Sequence, residues 1–309
     1  MIDSLISRVP LLGSLYRRMT KGSYALSVAR SLRNYGDAVD IHSGRQIFIY
    51  TSGQVGSTAI QSSLDAIPGQ PYKGRVHHLH FLNPVTIESD IPYSRWYHKN
   101  QGHVLPHYLR SLYIRKELDD GMALDRIMLV SAVRDPIRSN IAGFFQSLYR
   151  LPDFDMSRLK DPGSEKVMDE LTERYMRSND FNYHLTWLDY QVRDVFGIDV
   201  YAETFEKSRG YHIYRSRHPH MLLLKTEMLN EVAEPAMREF METEEFTMVR
   251  SNTADDKAYA EHYKEFIKHI RIPATLFEAV EQSRFLSHFY TEEEQEKILA
   301  PWRDRLISS

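Results

Sequence analysis

Three groups of residues have types and spacings that could do chemistry, and all suggest handling an anion and moving a proton. The first is Thr51-Ser-Gly-Gln-Val-Gly-Ser-Thr58. Gly53 and Gly56 permit close backbone approach, and Ser57 and Thr58 add hydroxyl donors. The segment leaves the apolar, β-branched run Gln46-Ile-Phe-Ile-Tyr-Thr51 and opens a helical pattern from Ser57 to Leu64. Backbone N–H groups and the helix dipole would there cradle a phosphate at the strand's end. An ATPase or GTPase loop reads GxxxxGK[ST]; no lysine precedes the Ser-Thr pair here, so ordinary ATP hydrolysis is disfavoured. The alternative is a Gly-containing turn with no ligand.

The second group is His77, His78 and His80. An imidazole with an ordinary pKa near ~6.5 suits proton removal at neutral pH. In an extended 76–81 segment His78 and His80 share one face and His77 takes the other, so the pair is the better candidate base, with no choice within it. Two histidines at this spacing could also chelate zinc, but no nearby carboxylate completes a ligand set, and no metal is expected. Hydrogen-bonded structural histidines are the third reading. The third group is Arg134-Asp-Pro136, at the end of the apolar run Arg126 to Val133, where a role for Arg134 in ligand binding is favoured over an ion pair.

The elements that must position these groups alternate along the chain. Buried strands are expected at 46–51, 126–133 and 220–225. Helices are expected from Ser57 to Leu64, from Pro136 to about Tyr149, over 164–196, 232–241, 256–270 and 273–281, and over 291–305, the last with Thr291 and Glu294 as a capping box. Near-continuous apolar strands alternating with helices imply an α/β fold with a central parallel sheet flanked by helices on both faces. Ligands in such folds bind at the carboxyl ends of the strands.

The chain has 309 residues, 39 Lys+Arg against 42 Asp+Glu, and 42 % hydrophobic residues, an ordinary globular composition. The net charge of −3 argues against a nucleic-acid partner. With no cysteine, disulfides and thiolate chemistry are excluded. Nothing divides the sequence, so one domain is expected over 1–309, with 1–44 as a helical N-terminal extension. No signal peptide is legible in residues 1–20, and no apolar run approaches the ~18 residues of a membrane span; a cytoplasmic protein is expected. Residues 2–18 suit a short amphipathic helix with Arg8, Arg17 and Arg18 on its polar side. Packing on the domain is favoured for it over weak peripheral contact with an anionic membrane.

The Gly-Ser-Thr loop followed by Arg134-Asp-Pro136 resembles the phosphosulfate-binding and 3′-phosphate-binding elements of sulfotransferases. The resemblance is closest to a bacterial sulfotransferase-like group named for capsular polysaccharide synthesis. It extends to His78-Leu-His-Phe-Leu-Asn-Pro84, Val133 to Phe145, Phe196-Gly-Ile-Asp-Val-Tyr201, Gly210-Tyr-His-Ile-Tyr214 and Tyr259 to Phe266, and covers roughly residues 45–304.

The resemblance implies a three-layer P-loop-like fold and 3′-phosphoadenosine 5′-phosphosulfate (PAPS) as sulfuryl donor, with 3′-phosphoadenosine 5′-phosphate (PAP) as product. Ser52, Gly53, Gln54, Val55, Gly56, Ser57 and Thr58 would hold the donor's phosphosulfate and Arg134 its 3′-phosphate. His78 or His80 would be the base toward a saccharide or glycoconjugate hydroxyl. Glu227 would support the phosphosulfate loop, and Arg250 and Lys257 would lie in a late basic loop. Tyr93, Trp96, Tyr97, His98, His103 and His107 could line an acceptor pocket, although core packing is favoured for them.

Two positions depart from the group's pattern. Gln54 stands where a lysine or arginine is usual, and a neutral amide cannot neutralise charge on a leaving phosphate. Ala142 replaces a serine that bonds the 3′-phosphate; Arg138 and Ser139, one helical turn earlier, could compensate. A catalytically degenerate nucleotide-binding or interaction protein on the same fold is the alternative function. A kinase would need a loop lysine and acidic magnesium ligands that are not found.

Overall fold

The computed structural model describes residues 23–148, 161, 163–178, 180–249 and 259–307. The expected helix over 2–18, Arg250, Lys257 and the 256–258 end of the expected 256–270 helix lie outside them. The described residues open with α1 (Ser23–Ala38), then β1 (Gln46–Tyr50), α2 (Ser57–Asp65) and β2 (Val76–Leu79). Three helices follow, α3 (Pro84–Ser89), α4 (Ile91–Gln101) and α5 (Pro106–Asp119), leading to β3 (Ile127–Val133) and α6 (Pro136–Leu148). Next come α7 (Glu165–Ser178), α8 (Tyr183–Trp187), a π-helical turn over Leu188–Arg193, α9 (Asp194–Phe196), β4 (Tyr211–Tyr214) and β5 (His220–Lys225). The chain continues with α10 (Leu229–Met241), α11 (Ala260–His269), α12 (Ala274–Glu281), α13 (Arg284–Phe289) and α14 (Glu292–Arg303).

The fold is mixed α/β, with a five-stranded sheet in the order β2-β1-β3-β5-β4. β1 pairs in parallel with β2 and β3, and β3 with β5. Alternation along each strand sends side chains to two separate apolar clusters. Phe48, Tyr50, Leu129, Val133 and Leu223 pack with α6 and the C-terminal helices. Ile47, Ile49, Val130, Leu222 and Leu224 pack with α2 and α10. Burial on both faces is the reason these strands read as continuous apolar runs.

Two expectations are corrected. The sheet is not wholly parallel, because β4 runs antiparallel to β5, with Tyr211 opposite Leu224 and Tyr214 opposite Met221. Only residues 215–219 join the two strands, too short a link for a parallel crossover. The helix expected over 164–196 is broken into α7, α8, the π turn and α9. At the break Asp180 Oδ1 accepts from Asn182 N (3.0 Å) and Asn140 Nδ2 donates to Asp180 O (3.0 Å). These bonds satisfy backbone groups that would otherwise continue the helix.

The π turn carries Gln191 into the core. Its Oε1 accepts from Tyr50 Oη (2.6 Å), Leu82 N (2.9 Å) and Asn83 N (2.9 Å), and its Nε2 donates to Thr86 Oγ1 (2.8 Å). The end of β1 is thereby tied to the segment after β2. The capping box on α14 forms, Thr291 and Glu294 each bonding the other's backbone N–H.

Candidate active site

The loop after β1 owes its shape to left-handed backbone at Gly53 (φ 87°), Gln54 (φ 59°) and Gly56 (φ 78°). The left-handed backbone at Gly56 favours glycine; a Cβ there would also displace the Leu229 Cδ2 methyl, 2.6 Å away. Gly56 is the N-cap of α2 and offers no side chain to its first amides, which leaves the helix start open to an anion. Gln54 holds a conformation costing of order 1 kcal/mol without glycine. Arg134 Nη1 donates to the Gln54 carbonyl at 2.8 Å, and Thr226 Oγ1 to that of Val55 at 3.2 Å.

A cleft of about 720 Å³ opens over the carboxyl end of the sheet. It is lined by Ser52, Gly53, Gln54, Gly56, Ser57 and Thr58 of the loop, and also by His78, His80 and Arg134. Val55 points instead into the core under α10. Arg138 lies outside this lining: its Nε is 3.5 Å from Asp135 Oδ2, and it borders an adjoining hollow that meets the cleft at Tyr263. Ala142 lines the cleft, whereas Ser139 is buried beneath it.

The histidines divide as alternation requires. His77 is fully buried on the opposite face, its ring bonded to Gln46 Oε1 and Tyr35 Oη (both 3.1 Å). His78 and His80 meet edge to face with ring centroids 4.9 Å apart. His78 uses both ring nitrogens, Nδ1 with Gln61 Oε1 (3.1 Å) and Nε2 with Ser57 Oγ (2.9 Å). Burial, with neighbouring His80 and Arg110 adding, pushes its pKa down to about 3. His80 Nδ1 donates to the Thr51 carbonyl at 3.0 Å, which fixes the neutral tautomer with its lone pair on Nε2.

Of the aromatic group after β2, only His107 reaches the cleft. Tyr93 stacks on Trp96, Tyr97 meets His103 edge-on, and both tyrosines pack against a cluster built on α1, α4 and α5.

Sequence reasoning missed His184, which is buried and lines the cleft. Its Nδ1 lies 3.3 Å from Ser52 Oγ. A lone histidine inside an expected long helix carries no signal; the turn-forming residues at Asp180 and Asn182 were the cue to a break that aims it inward.

Glu227 supports the second loop rather than the first. Its Oε1 accepts from Asp135 N at 2.7 Å, and Tyr290 Oη donates to the carboxylate at 3.3 Å. Asp135 Oδ1 in turn accepts from Ile137 N and Arg138 N, holding the start of α6. Burial pushes the Asp135 pKa up to about 6, with Glu227 adding and the Arg138 N–H opposing. The folded protein therefore holds this proton more tightly than the unfolded chain, and stability falls as pH rises from about 4 to 6. At neutral pH the ionised carboxyl costs about 3 kcal/mol. Asp135→Asn, which keeps the Oδ1 acceptor, is expected to flatten this slope and raise the melting temperature at pH 8. An unchanged slope in thermal melts at pH 4, 5, 6 and 8 refutes the assignment.

Among the described residues, no helix is long and apolar enough to cross a membrane, and no group of three or more His, Cys, Asp or Glu converges as a metal-ligand set. No curated protein and no solved structure matches the chain. Residues 163–291 match the family described as "Putative capsular polysaccharide synthesis protein"; this stretch contributes His184, Thr226, Glu227, Tyr259 and Tyr263, while the 51–58 loop, the histidine pair and Arg134 precede it.

Proposed function

We propose that the chain is a transferase that moves a sulfuryl group from PAPS to a hydroxyl of a saccharide or glycoconjugate, acting as one cytoplasmic domain of three-layer P-loop-like fold. One observation carries the reading: the open start of α2, Arg134 on the loop carbonyl, and His80 with its basic nitrogen fixed all border one cleft. The family description over 163–291 supports a polysaccharide acceptor by association.

The residues fit the donor in part. Gly53, Gly56 and the hydroxyls of Ser52, Ser57 and Thr58 would hold its phosphosulfate, and Arg134 would face its 3′-phosphate. Gln54 and Ala142 contribute no charge or hydroxyl there. The acceptor oxygen bonds sulfur, the sulfur–oxygen bond to the 5′-phosphate breaks, and PAP leaves. His80 Nε2 takes the acceptor proton. The loop amides stabilise the charge left on the 5′-phosphate.

The test is a thermal-shift titration with PAP beside ADP at equal concentration. A ligand at ~100 times its Kd stabilises by about 2.7 kcal/mol, a shift of several degrees for a domain of this size. Stabilisation by PAP alone is expected; equal shifts with both overturn the reading.

A specific observation favours the degenerate alternative. Arg134, the only Lys or Arg among the described lining residues, already has Nη1 on the Gln54 carbonyl. Gln54→Lys separates the two. Sulfuryl transfer in the unaltered protein rejects the alternative, and transfer that appears only in the variant establishes it.

A further inference from the structure

Ser52 and Ser57, two hydroxyls of the candidate anion loop, each meet a histidine from a different wall of the cleft, His184 buried and His78 half-buried. Ser57 Oγ meets His78 Nε2 at 2.9 Å and Ser52 Oγ meets His184 Nδ1 at 3.3 Å. At His78 the opposite ring nitrogen sets the direction of the bond. His78 Nδ1 faces the Gln61 Oε1 acceptor and so carries the proton. His184 has a bond to the Ser139 backbone that favours its charged form, as donation to a carbonyl does. Both rings therefore accept from serine, and the two hydroxyl protons are engaged by the imidazoles.

We propose that His184 and His78 are positioning residues that take up protons when an anion enters the 51–58 loop, turning the Ser52 and Ser57 hydroxyl protons from the imidazoles onto the anion. The step balances simply. A solvent proton adds to His184 Nδ1 or His78 Nε2, the new N–H donates to serine Oγ, and the serine O–H rotates to an anion oxygen. The inference deepens the proposed function by making donor binding proton-linked, and it requires only that the loop hold an anion.

The surroundings suit rings that are neutral when the loop is empty. His184 faces Arg134 from the loop after β3, the Ser139 backbone from α6 and the Tyr183 ring beside it. Burial and then Arg134 push its pKa down to about 4. His78 faces His80 just past the end of its strand, Arg110 on α5, and Gln61 and Ser57 on α2. The carboxylates on the cleft wall are Asp90 and Asp180, and Asp135 titrates nearby. An anion beside these rings supplies the opposite charge that stabilises the imidazolium form. A second observation also points to a ligand. Ser139 Oγ is buried without a hydrogen-bond partner among the described residues, in a small hollow shared with Ser52, Arg134 and His184.

The experiment measures binding of inorganic sulfate, which does not titrate between pH 5.5 and 8, and of PAP, by calorimetry in buffers of different ionisation enthalpy. An Asp135→Asn background removes that carboxyl. Histidine ring nitrogens are followed by NMR in the same protein at pH 6. Expected are net proton uptake, a sulfate affinity that rises up to ~10-fold per pH unit for each histidine as pH falls, and conversion of both rings to the charged form on saturation. His184→Gln and His78→Gln should each lose part of the uptake, and the ring signals of the unaltered histidines keep the test valid if a variant fails to fold. Binding that is independent of pH, rings that stay neutral in the complex, or no binding of either anion overturns the inference. Proton-linked sulfate binding with no preference of PAP over ADP upholds it and rejects the proposed donor.

Discussion

If the proposed sulfuryl transfer holds, His80→Asn is expected to lower its kcat by a factor of about 10² to 10⁴, the usual contribution of a general base, while leaving PAP affinity near that of the unaltered protein. The choice of asparagine follows from the geometry. Its side-chain amide can still donate to the Thr51 carbonyl, as His80 Nδ1 does at 3.0 Å, so support of the loop is retained and only the basic nitrogen is removed. His78→Asn behaves differently, because both nitrogens of His78 are held by Gln61 and Ser57. Its effect falls on donor binding, read as a raised KM for PAPS with a smaller change in kcat. Steady-state kinetics on the two variants separate the roles. If His80→Asn loses PAP binding in step with turnover, His80 is a loop support and not the base.

The second large effect is on stability. Lys225 is fully buried at the end of β5; its Nζ donates to both Glu294 oxygens (2.9 Å each) and to the Lys207 carbonyl (2.8 Å). Removing one partner of such a pair leaves an uncompensated charge in the interior, which costs about 3–5 kcal/mol. Glu294→Ala is expected near the lower end, about 3 kcal/mol, because the Glu294 side chain is 29 % exposed. It also forfeits the bond from Thr291 N that closes the capping box. Chemical denaturation measures the loss. Lys225→Met combined with Glu294→Gln should recover much of it, since neither charge then remains; a double variant as unstable as the sum of the singles contradicts the account.

The same pair has a pH signature. Burial, the largest single influence, raises the Glu294 pKa, but the hydrogen bonds from Lys225 and Thr291 and the Lys225 charge together outweigh it and the net shift is downward. A carboxyl whose folded pKa lies below its unfolded value contributes stability above the unfolded pKa and loses it as pH falls through the folded one. Its contribution therefore disappears on acidification, opposite in sense to that of Asp135.

How much of this was legible in the sequence depends on where the physics is local. The strands at 46–50, 127–133 and 220–225 could be read because burial on both faces leaves no room for polar residues. The α14 start could be read because Thr291 and Glu294 bond each other's backbone. β4 could not be read: Tyr211 and Tyr214 are buried but His212 and Ile213 are only half-buried, so neither alternation nor a continuous run appears. At the site, the loop, Arg134 and the face shared by His78 and His80 follow from local pattern, whereas the distinction between the two rings depends on Gln61, Ser57 and the Thr51 carbonyl. The contact between Ser52 and His184 spans 132 positions, and no local rule reports such a distance.

The sheet order bears on how the protein could be divided. Residues 163–291 contain β5 and β4, while β1, β2 and β3 all precede them. β5 pairs with β3 along its full length, from Met128 opposite His220 to Val133 opposite Lys225. Excised at the borders of the family match, this stretch would be left with a two-stranded ribbon, one of whose strands presents a bare row of amides and carbonyls flanked by Leu222, Leu223 and Leu224. Such an edge invites pairing with other chains, and an isolated hairpin is marginal in water. The matched region is thus one side of a single sheet and not a portable module, and fragments for expression or domain exchange should keep the strands from Gln46 onward.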